Sequence, residues 1–498
     1  MGIADGLSLG LQIVSNPVNL LYCFIGVFIG TLIGVLPGIG PPGAIALLLP
    51  VSFGMSPIPA IIMLAGIYYG SQYGGSTTSI LVNIPGEAAS VVTCLDGYQM
   101  AKAGRAGPAL GMAAFGSFIA GTFALFLLVF LAVPLSAAAL RFGPPEYTCL
   151  MILGLTFVTY LAHGSPLKAI TMAVLGFALS QIGTDRITGQ LRYTFGILEL
   201  DDGLDLVPIV MGIFGIGEVL SSLEKAVDLK LLTTKITGLF PNLKDWRDSI
   251  GAILRGTFLG CFLGVLPGAG AILSSFVSYA IEKKLSKHPE KFGTGTIEGV
   301  AGPESANNAA ATGAFIPLFS LGIPSNAVTA LLLGALMIHG LETGPLLVIK
   351  HPEVFWGTIM SMYIGNAMLL VLNLPLIGLW VKVLRIPLRV LYPLIFLFCL
   401  IGAYSVNNQI FDIFITIFFG VIGYLLQRYG YEAAPLVLAF ILAPTFEASL
   451  RRSLIMSQGS FSIFLDRPVA AISLLIAGLL LLSLFFPVLK KLRRRVEL

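Results

Sequence analysis

Apolar positions along this chain do not alternate with polar ones; they run on. Between Gly6 and Gly86 there is no Asp, Glu, Lys, Arg or His, and residues 109–140, 305–338 and 469–489 are equally free of charge. Each run reaches the ~20 residues that carry a helix across a bilayer. The pattern predicts spans near 18–36, 109–133, 146–162, 166–181 and 206–220. In the second part they fall near 250–266, 356–384, 393–404, 411–426, 434–446 and 470–489. This is an all-α polytopic membrane protein of roughly 11–13 transmembrane segments, the broken ones leaving the count open. The chain opens on an amphipathic piece, residues 1–17, read as an N-terminal interfacial segment.

The apolar runs are broken twice in the same way. GVLPGIG at 34–40 returns as GVLPGAG at 264–270, each preceded by a Gly four residues earlier (Gly30, Gly260). Asn83-Ile84-Pro85-Gly86 is answered by Gly322-Ile323-Pro324-Ser325-Asn326, and Gly107-Pro108 by Gly344-Pro345. A repeat this long is not a solenoid unit but a duplicated half-protein. The first transmembrane half is 18–222 (repeat core 29–133) and the second 250–489 (repeat core 250–384). A mixed-charge stretch at 223–249 links them, and 490–498 is a basic tail. Residues 184–205, mixed in charge, read as an extramembrane loop.

With 56% hydrophobic and 11% charged residues, against ~25% charged in soluble domains, no water-facing surface of ordinary size can be built. The tail KKLRRR at 490–495 follows an apolar run and reads as cytoplasmic, as does the 223–249 linker. The start of the chain has neither the basic segment nor the cleavage site of a signal peptide. Five scattered cysteines offer no metal or disulfide spacing. The four His are isolated and read as structural.

Equivalent loops of the two copies carry opposite charge. Residues 52–59 have no Lys or Arg whereas 282–291 have four Lys; residues 98–107 hold Lys102 and Arg105 whereas 339–345 hold none. Under the positive-inside rule one member of each pair is cytoplasmic. An inverted-topology repeat predicts that swap. Such repeats place a substrate site near the bilayer midplane, where broken helix ends meet. A helix starting there offers unpaired N–H groups and a positive dipole end to a carboxylate. Unwound carbonyls with Asn, Ser and Thr oxygens suit a hard cation such as sodium.

On this reasoning Asn83, Gly86 and Glu87 in the first copy, with Ser325 and Asn326 in the second, are substrate or ion positions, or else neighbours of plain membrane turns at Pro85 and Pro324. Gly38, Gly40, Gly268 and Gly270 allow the breaks, and Gly40 and Gly270 also count as substrate-binding positions. Ser76, Thr77 and Thr78, with Asn307, Asn308 and Thr312, offer oxygens for a cation or for interhelical hydrogen bonds. Tyr73 either lines the cavity or packs. Glu87 takes a proton, holds a cation or caps a helix; Asp96, Glu298 and Glu304 read as loop or capping charges. Lys102 and Arg105 attract anions or mark topology. No paired carboxylates, nucleophile elbow or Ser/His/Asp set stands in a catalytic context, so an enzyme is not expected.

Three stretches carry a family resemblance: GVLPGIGPPGAIALLLP at 34–50, GIYYGSQYGGSTTSILVNIPGEAASVVTCLDG at 66–97 and GPESANNAAATGAFIPLFSLGIPS at 302–325. They are similar to the large membrane subunit of the tripartite tricarboxylate transporters, the TctA family, and the likeness runs from about residue 18 to 485. The resemblance implies a multi-pass permease of the bacterial inner membrane for organic anions. Its implied partners are a small membrane subunit and a periplasmic solute-binding protein. Transport would be secondary, driven by an ion gradient; no phosphate-binding loop of the GxxxxGK[ST] kind is present. No cofactor is expected beyond sodium as a possible coupling ion, and no nucleic acid. The rival reading is a non-transporting membrane scaffold that recruits a periplasmic binder. An elevator-like motion is compatible with helical hairpins. Which carboxylate is carried, citrate among the options, is left open.

Overall fold

The computed structural model describes residues 2–36, 40–161, 165–185, 187–224, 236, 238–268, 270–384, 386 and 388–485. Gly38, residues 225–235 and 237 of the 223–249 linker, and the basic tail 490–498 lie outside the described residues.

The first half runs α1 (Ile3–Val14), α2 (Pro17–Val35), α3 (Gly40–Ser52), α4 (Pro57–Val82), α5 (Val91–Lys102), α6 (Ala106–Ala139), α7 (Pro144–Leu161), α8 (Pro166–Leu179), α9 (Leu206–Val210) and α10 (Gly217–Glu224). A π-helical stretch, Met211–Ile216, joins the last two. The second half runs α11 (Leu243–Val265), α12 (Gly270–Leu285), α13 (Glu298–Gly313), α14 (Phe315–Leu321), α15 (Ala327–Ile338), α16 (Pro345–Lys350) and α17 (Pro352–Asn373). It closes with α18 (Ile377–Val383), α19 (Leu388–Asn407), α20 (Ile410–Arg428), α21 (Ala434–Met456), α22 (Ile463–Asp466) and α23 (Pro468–Phe485).

The all-α expectation holds. The one sheet among the described residues pairs Gly183–Thr184 with Leu191–Arg192, inside the loop read as extramembrane. Among the described residues eight helices are long and apolar enough to cross a membrane by themselves, and five shorter apolar helices accompany them. The expectation of roughly 11–13 segments leaves room for broken ones, and Pro and Gly do cut several into shorter pieces. α4 has the length, 26 residues, but its polar run keeps it off that count. Large apolar side chains on α6, α20 and α23 face outward, among them Phe126, Phe130, Phe414, Phe418, Leu475 and Leu482. In water such a belt would aggregate; in a bilayer it is the lipid-facing surface.

Each half is organised by a stripe of glycines four residues apart. A Cβ on Gly26, Gly30 or Gly34 of α2 would stand 2.4, 2.5 and 2.2 Å from the carbonyl oxygens of Met63, Ile67 and Ser71 in α4. On α11, Gly256, Gly260 and Gly264 meet the carbonyls of Gly302, Ala306 and Ala310 in α13 at 2.3, 2.3 and 2.4 Å. The obstruction is backbone, so no rotamer relieves it; the close helix contact exists because these positions lack side chains. Both members of each pair advance four residues together. α2 and α4 are therefore parallel, as are α11 and α13, and the piece between them (α3, α12) must double back from the Pro-Gly break.

The copies agree in detail further on. Asn83 (φ 61°) and Gly322 (φ 70°), 239 positions apart, are left-handed C-caps. Glu87 and Asn326, again 239 apart, are N-caps whose side chains accept a backbone N–H of the next turn. α5 and α15 close alike, Arg105 N–H on Met100 O and Leu341 N–H on Leu336 O. Two cavities frame this core. One, about 690 Å³, is lined by Phe53, by Met337, Ile338 and His339, and by the 180–207 segment. The other, about 740 Å³, is lined by Arg105, by Asn242, Lys244 and Asp245, and by Lys287, His288 and Lys291. The N-terminal α1, expected at the interface, packs on α17, where the Trp356 ring occupies the space a Gly6 side chain would need.

Candidate functional site

α4 ends at Asn83, whose side chain is exposed; the left-handed turn there reverses the chain, and Ile84 and Pro85 lead it back alongside α4. Gly86 is buried where a Cβ would meet Gly34 O at 2.0 Å and the Gly75 Cα at 2.6 Å. Only glycine lets this corner press against the broken end of α2. Glu87 follows, 7% exposed. Its Oε2 accepts the Ala89 N–H at 2.6 Å and its Oε1 the Asn307 Nδ2 at 3.1 Å. It therefore caps the next helix, one of the roles expected of it. Thr78 is spent elsewhere: its hydroxyl donates to Val35 O at 2.6 Å, meeting a carbonyl left free where α2 stops.

The second corner repeats the plan with different residues. Ser325 is fully buried, its O accepts the Gly268 N–H at 2.7 Å, and its Oγ has no partner among the described residues. Asn326 caps α15 through Thr329 N–H at 2.9 Å and donates its Nδ2 to the Tyr68 hydroxyl at 3.0 Å. A Cβ on Gly270 (φ 48°) would stand 3.9 Å from the Asn326 Cβ, and Gly40 (φ 64°) opens α3 at the matching place. The cross-contacts are reciprocal. Tyr68 of α4 holds the second corner's cap, Asn326, while Asn307 of α13 holds the first corner's cap, Glu87. Positions 68 and 307 differ by the same 239 as 87 and 326. Contacts that exchange in this way are the mark of a local two-fold relation.

Glu304 corrects the sequence reading. Expected as a loop or capping charge, it lies inside α13 and is fully buried. Its two carboxylate oxygens accept the hydroxyls of Ser76 and Thr93. Glu304, Asn307 and Asn308 are three and four residues apart, so they share one helix face. Sequence reasoning also missed Tyr68 and Thr93, which sit among apolar neighbours with no local signal. For Glu304 a signal existed: it stands at the edge of a charge-free run of helix-spanning length.

The remaining candidates divide. Asn308 donates to Ser117 Oγ at 2.7 Å, tying α13 to α6. Thr77 and Thr312 are buried and make no hydrogen bond to either corner among the described residues. Tyr73 turns away, its hydroxyl on Asn366 Oδ1 at 2.7 Å. Asp96 behaves as a loop-holding carboxylate, accepting the N–H groups of Gly293, Gly295 and Thr296 and the Tyr279 hydroxyl. Glu298 sits in the first turn of α13. Arg105 pairs with Asp245, and Lys102 lies over the Tyr98 ring. No group of three or more His, Cys, Asp or Glu suited to a metal occurs among the described residues.

At the first cavity, Asp185 is held by Ile187 N–H at 2.9 Å, by the Thr188 hydroxyl at 2.8 Å, and by Arg451 and Arg192. These donors, the Ile187 N–H foremost, hold its carboxyl well below the usual carboxylate range. Glu447 takes the other sides of Arg192 and Arg451, at 2.9 and 2.5 Å. The cluster fastens the 183–192 hairpin to α21.

The profile of the tripartite tricarboxylate transporter TctA family matches residues 20–438. An uncharacterized 52.8 kDa protein in the TAR-I ttuC' 3' region of Agrobacterium vitis is 52% identical over 479 residues, 96% of this chain and 95% of its own length. An uncharacterized protein in the TAR-II ttuC' 3' region of the same organism is 56% identical over 220 residues, 44% of this chain and 90% of its own. No solved structure matches.

Proposed function

The chain belongs to the tripartite tricarboxylate transporter TctA family, and we propose that it is the permease subunit of a binding-protein-dependent secondary transporter. It imports tricarboxylates or related organic acids across the bacterial inner membrane by symport with sodium or protons. A small membrane subunit and a periplasmic solute-binding protein complete the system. The family is one of transporter components rather than enzymes.

The observation that carries this reading is the reciprocal pairing of the two corners, Tyr68 with Asn326 and Asn307 with Glu87. It supports a single compartment closed by both halves, which is what a carrier with alternating access requires. The anion sits at the second corner. There the α15 N-terminus, the unpartnered Ser325 hydroxyl and the Asn326 amide converge, with no carboxylate on that corner itself. Inversion of the halves is supported by the cavities: the loop after α3 and the end of α15 line one, while the end of α5 and the loop after α12 line the other. The lysines and Arg105 at the second cavity support a cytoplasmic location for that side under the positive-inside rule. That layout is compatible with movement of the corner-bearing helices against the flanking ones, as in an elevator.

Uptake of a radiolabelled carboxylate into proteoliposomes holding both membrane subunits, with the binding protein outside, tests this. An imposed sodium or proton gradient should drive accumulation. Asn326→Ala should lower the apparent affinity about tenfold, the cost of losing ~1.4 kcal/mol of hydrogen bonding. Gradient-independent equilibration, or no uptake of any carboxylate, would instead fit the scaffold reading.

A further inference from the structure

The two corners share a plan but not a charge. The position of Asn326 in one is taken by Glu87 in the other, and Glu304 adds a second carboxylate on the Glu87 side only. Both are buried, and no Lys, Arg or His among the described residues is bonded to either. All the donors they meet are neutral: the Ser76 and Thr93 hydroxyls, the Asn307 amide, and the Ala89 and Ser90 N–H groups. A carboxylate buried in such surroundings is strongly disfavoured without a compensating positive charge.

Glu87 has part of its compensation, because it caps the turn that opens into α5 and faces its N–H groups. Glu304 has none, lying inside α13 away from either helix end. Either a proton or a bound cation must therefore neutralise the site, and the need is greatest at Glu304. Oxygen ligands are also in surplus. Asn307, 1% exposed, gives its nitrogen to Glu87 while its Oδ1 has no partner among the described residues. Gln72 Oε1 is likewise unpartnered, one turn before Ser76 on the same face of α4. Orphaned acceptors beside unpaired carboxylates call for a cation, and carboxylate, hydroxyl and amide oxygens suit a hard one.

We propose that Glu304 and Glu87, with Ser76, Thr93 and the Asn307 Oδ1, bind one sodium ion, the coupling ion of the transporter. Its part in coupling rests on the function proposed above; the binding site does not. Tyr68 and Ser76 are eight residues apart on α4, about 12 Å, so the cation and the corner assigned to the anion lie roughly that far apart along one helix. With the ion absent, the two carboxylates repel an incoming anion; with it present, that repulsion falls. Binding of the anion thus depends on binding of sodium.

The test is thermal unfolding of the detergent-purified full chain, without substrate or partners, titrated with sodium chloride against potassium and choline chloride at matched ionic strength. A saturable rise in Tm with sodium alone is expected, lost in Glu304→Gln and weakened about tenfold in Asn307→Ala, as for one lost ligand of ~1.4 kcal/mol. Equal response to all three salts, a response to pH alone, or a sodium response unchanged in Glu304→Gln overturns the site. Should Glu304→Gln fail to fold, Thr93→Val and Asn307→Ala keep both carboxylates, and wild-type sodium affinity in both overturns it equally. Failed uptake with intact sodium binding would fell the transporter reading and leave this site standing.

Discussion

The informative residues here are polar side chains whose partner lies across the duplication. Tyr68 reaches the second corner and Asn307 the first, so neither can be understood within its own half. Asp185 illustrates a different use of charge, at the surface. Its folded carboxyl lies below the ordinary range because Ile187 N–H and its other donors favour the ionised form. A depressed carboxylate contributes stability that is complete above the unfolded pKa, about 3.9, and declines as pH falls from there toward the folded value. The loss of Tm in Asp185→Asn should therefore be constant from about pH 8 to about pH 5 and shrink below about pH 4. A penalty that varied across the neutral range would place the relevant titration on another group.

At the scale of elements, the glycine stripes decide what packs on what. Three glycines one turn apart allow α2 onto α4, and three more allow α11 onto α13. Gly260→Val should force the Ala306 carbonyl away and destabilise the protein by about 1–3 kcal/mol or more, the usual cost of overpacking, read as a fall in Tm in detergent. Gly378→Val, where no atom approaches the vacant position, should shift stability only by the difference in helix propensity, under ~0.5 kcal/mol and in favour of Val. Equal losses in both would mean the stripe is not the contact that matters. The interruptions between α2 and α3 and between α11 and α12 follow from the same logic: a parallel pair can be joined only by a piece that turns back, and in the second copy Pro267 and Gly268 (φ 83°) supply the turn.

At the scale of the whole molecule, the two cavities give the proposed inversion of the halves its test. Single cysteines replacing Phe53 and His339 in a background freed of the native five should be labelled by a membrane-impermeant maleimide from outside the cell. Cysteines replacing Lys102 and Lys287 should react only once the membrane is opened. The outcome that removes the inverted arrangement is labelling of Phe53→Cys and Lys287→Cys from one side. Those loops are counterparts in the repeat, and a parallel duplication would put them together.

Sequence alone determined the membrane class, the two-copy organisation, the breaks and the corners. Each of these is local: an uncharged run, a Pro-Gly string or a recurring spacing is complete within its own stretch. It also pointed at Glu87, Asn307 and Asn326, because polar residues in an uncharged setting stand out. What it misjudged was Glu304, whose neighbours in the chain resemble a loop edge and whose neighbours in space, Ser76 and Thr93, are about two hundred residues away. The count of whole spans and the reciprocal pairing of the corners were likewise settled only by the fold. Burial and charge compensation are properties of a volume, and which segments share that volume is decided when the helices pack.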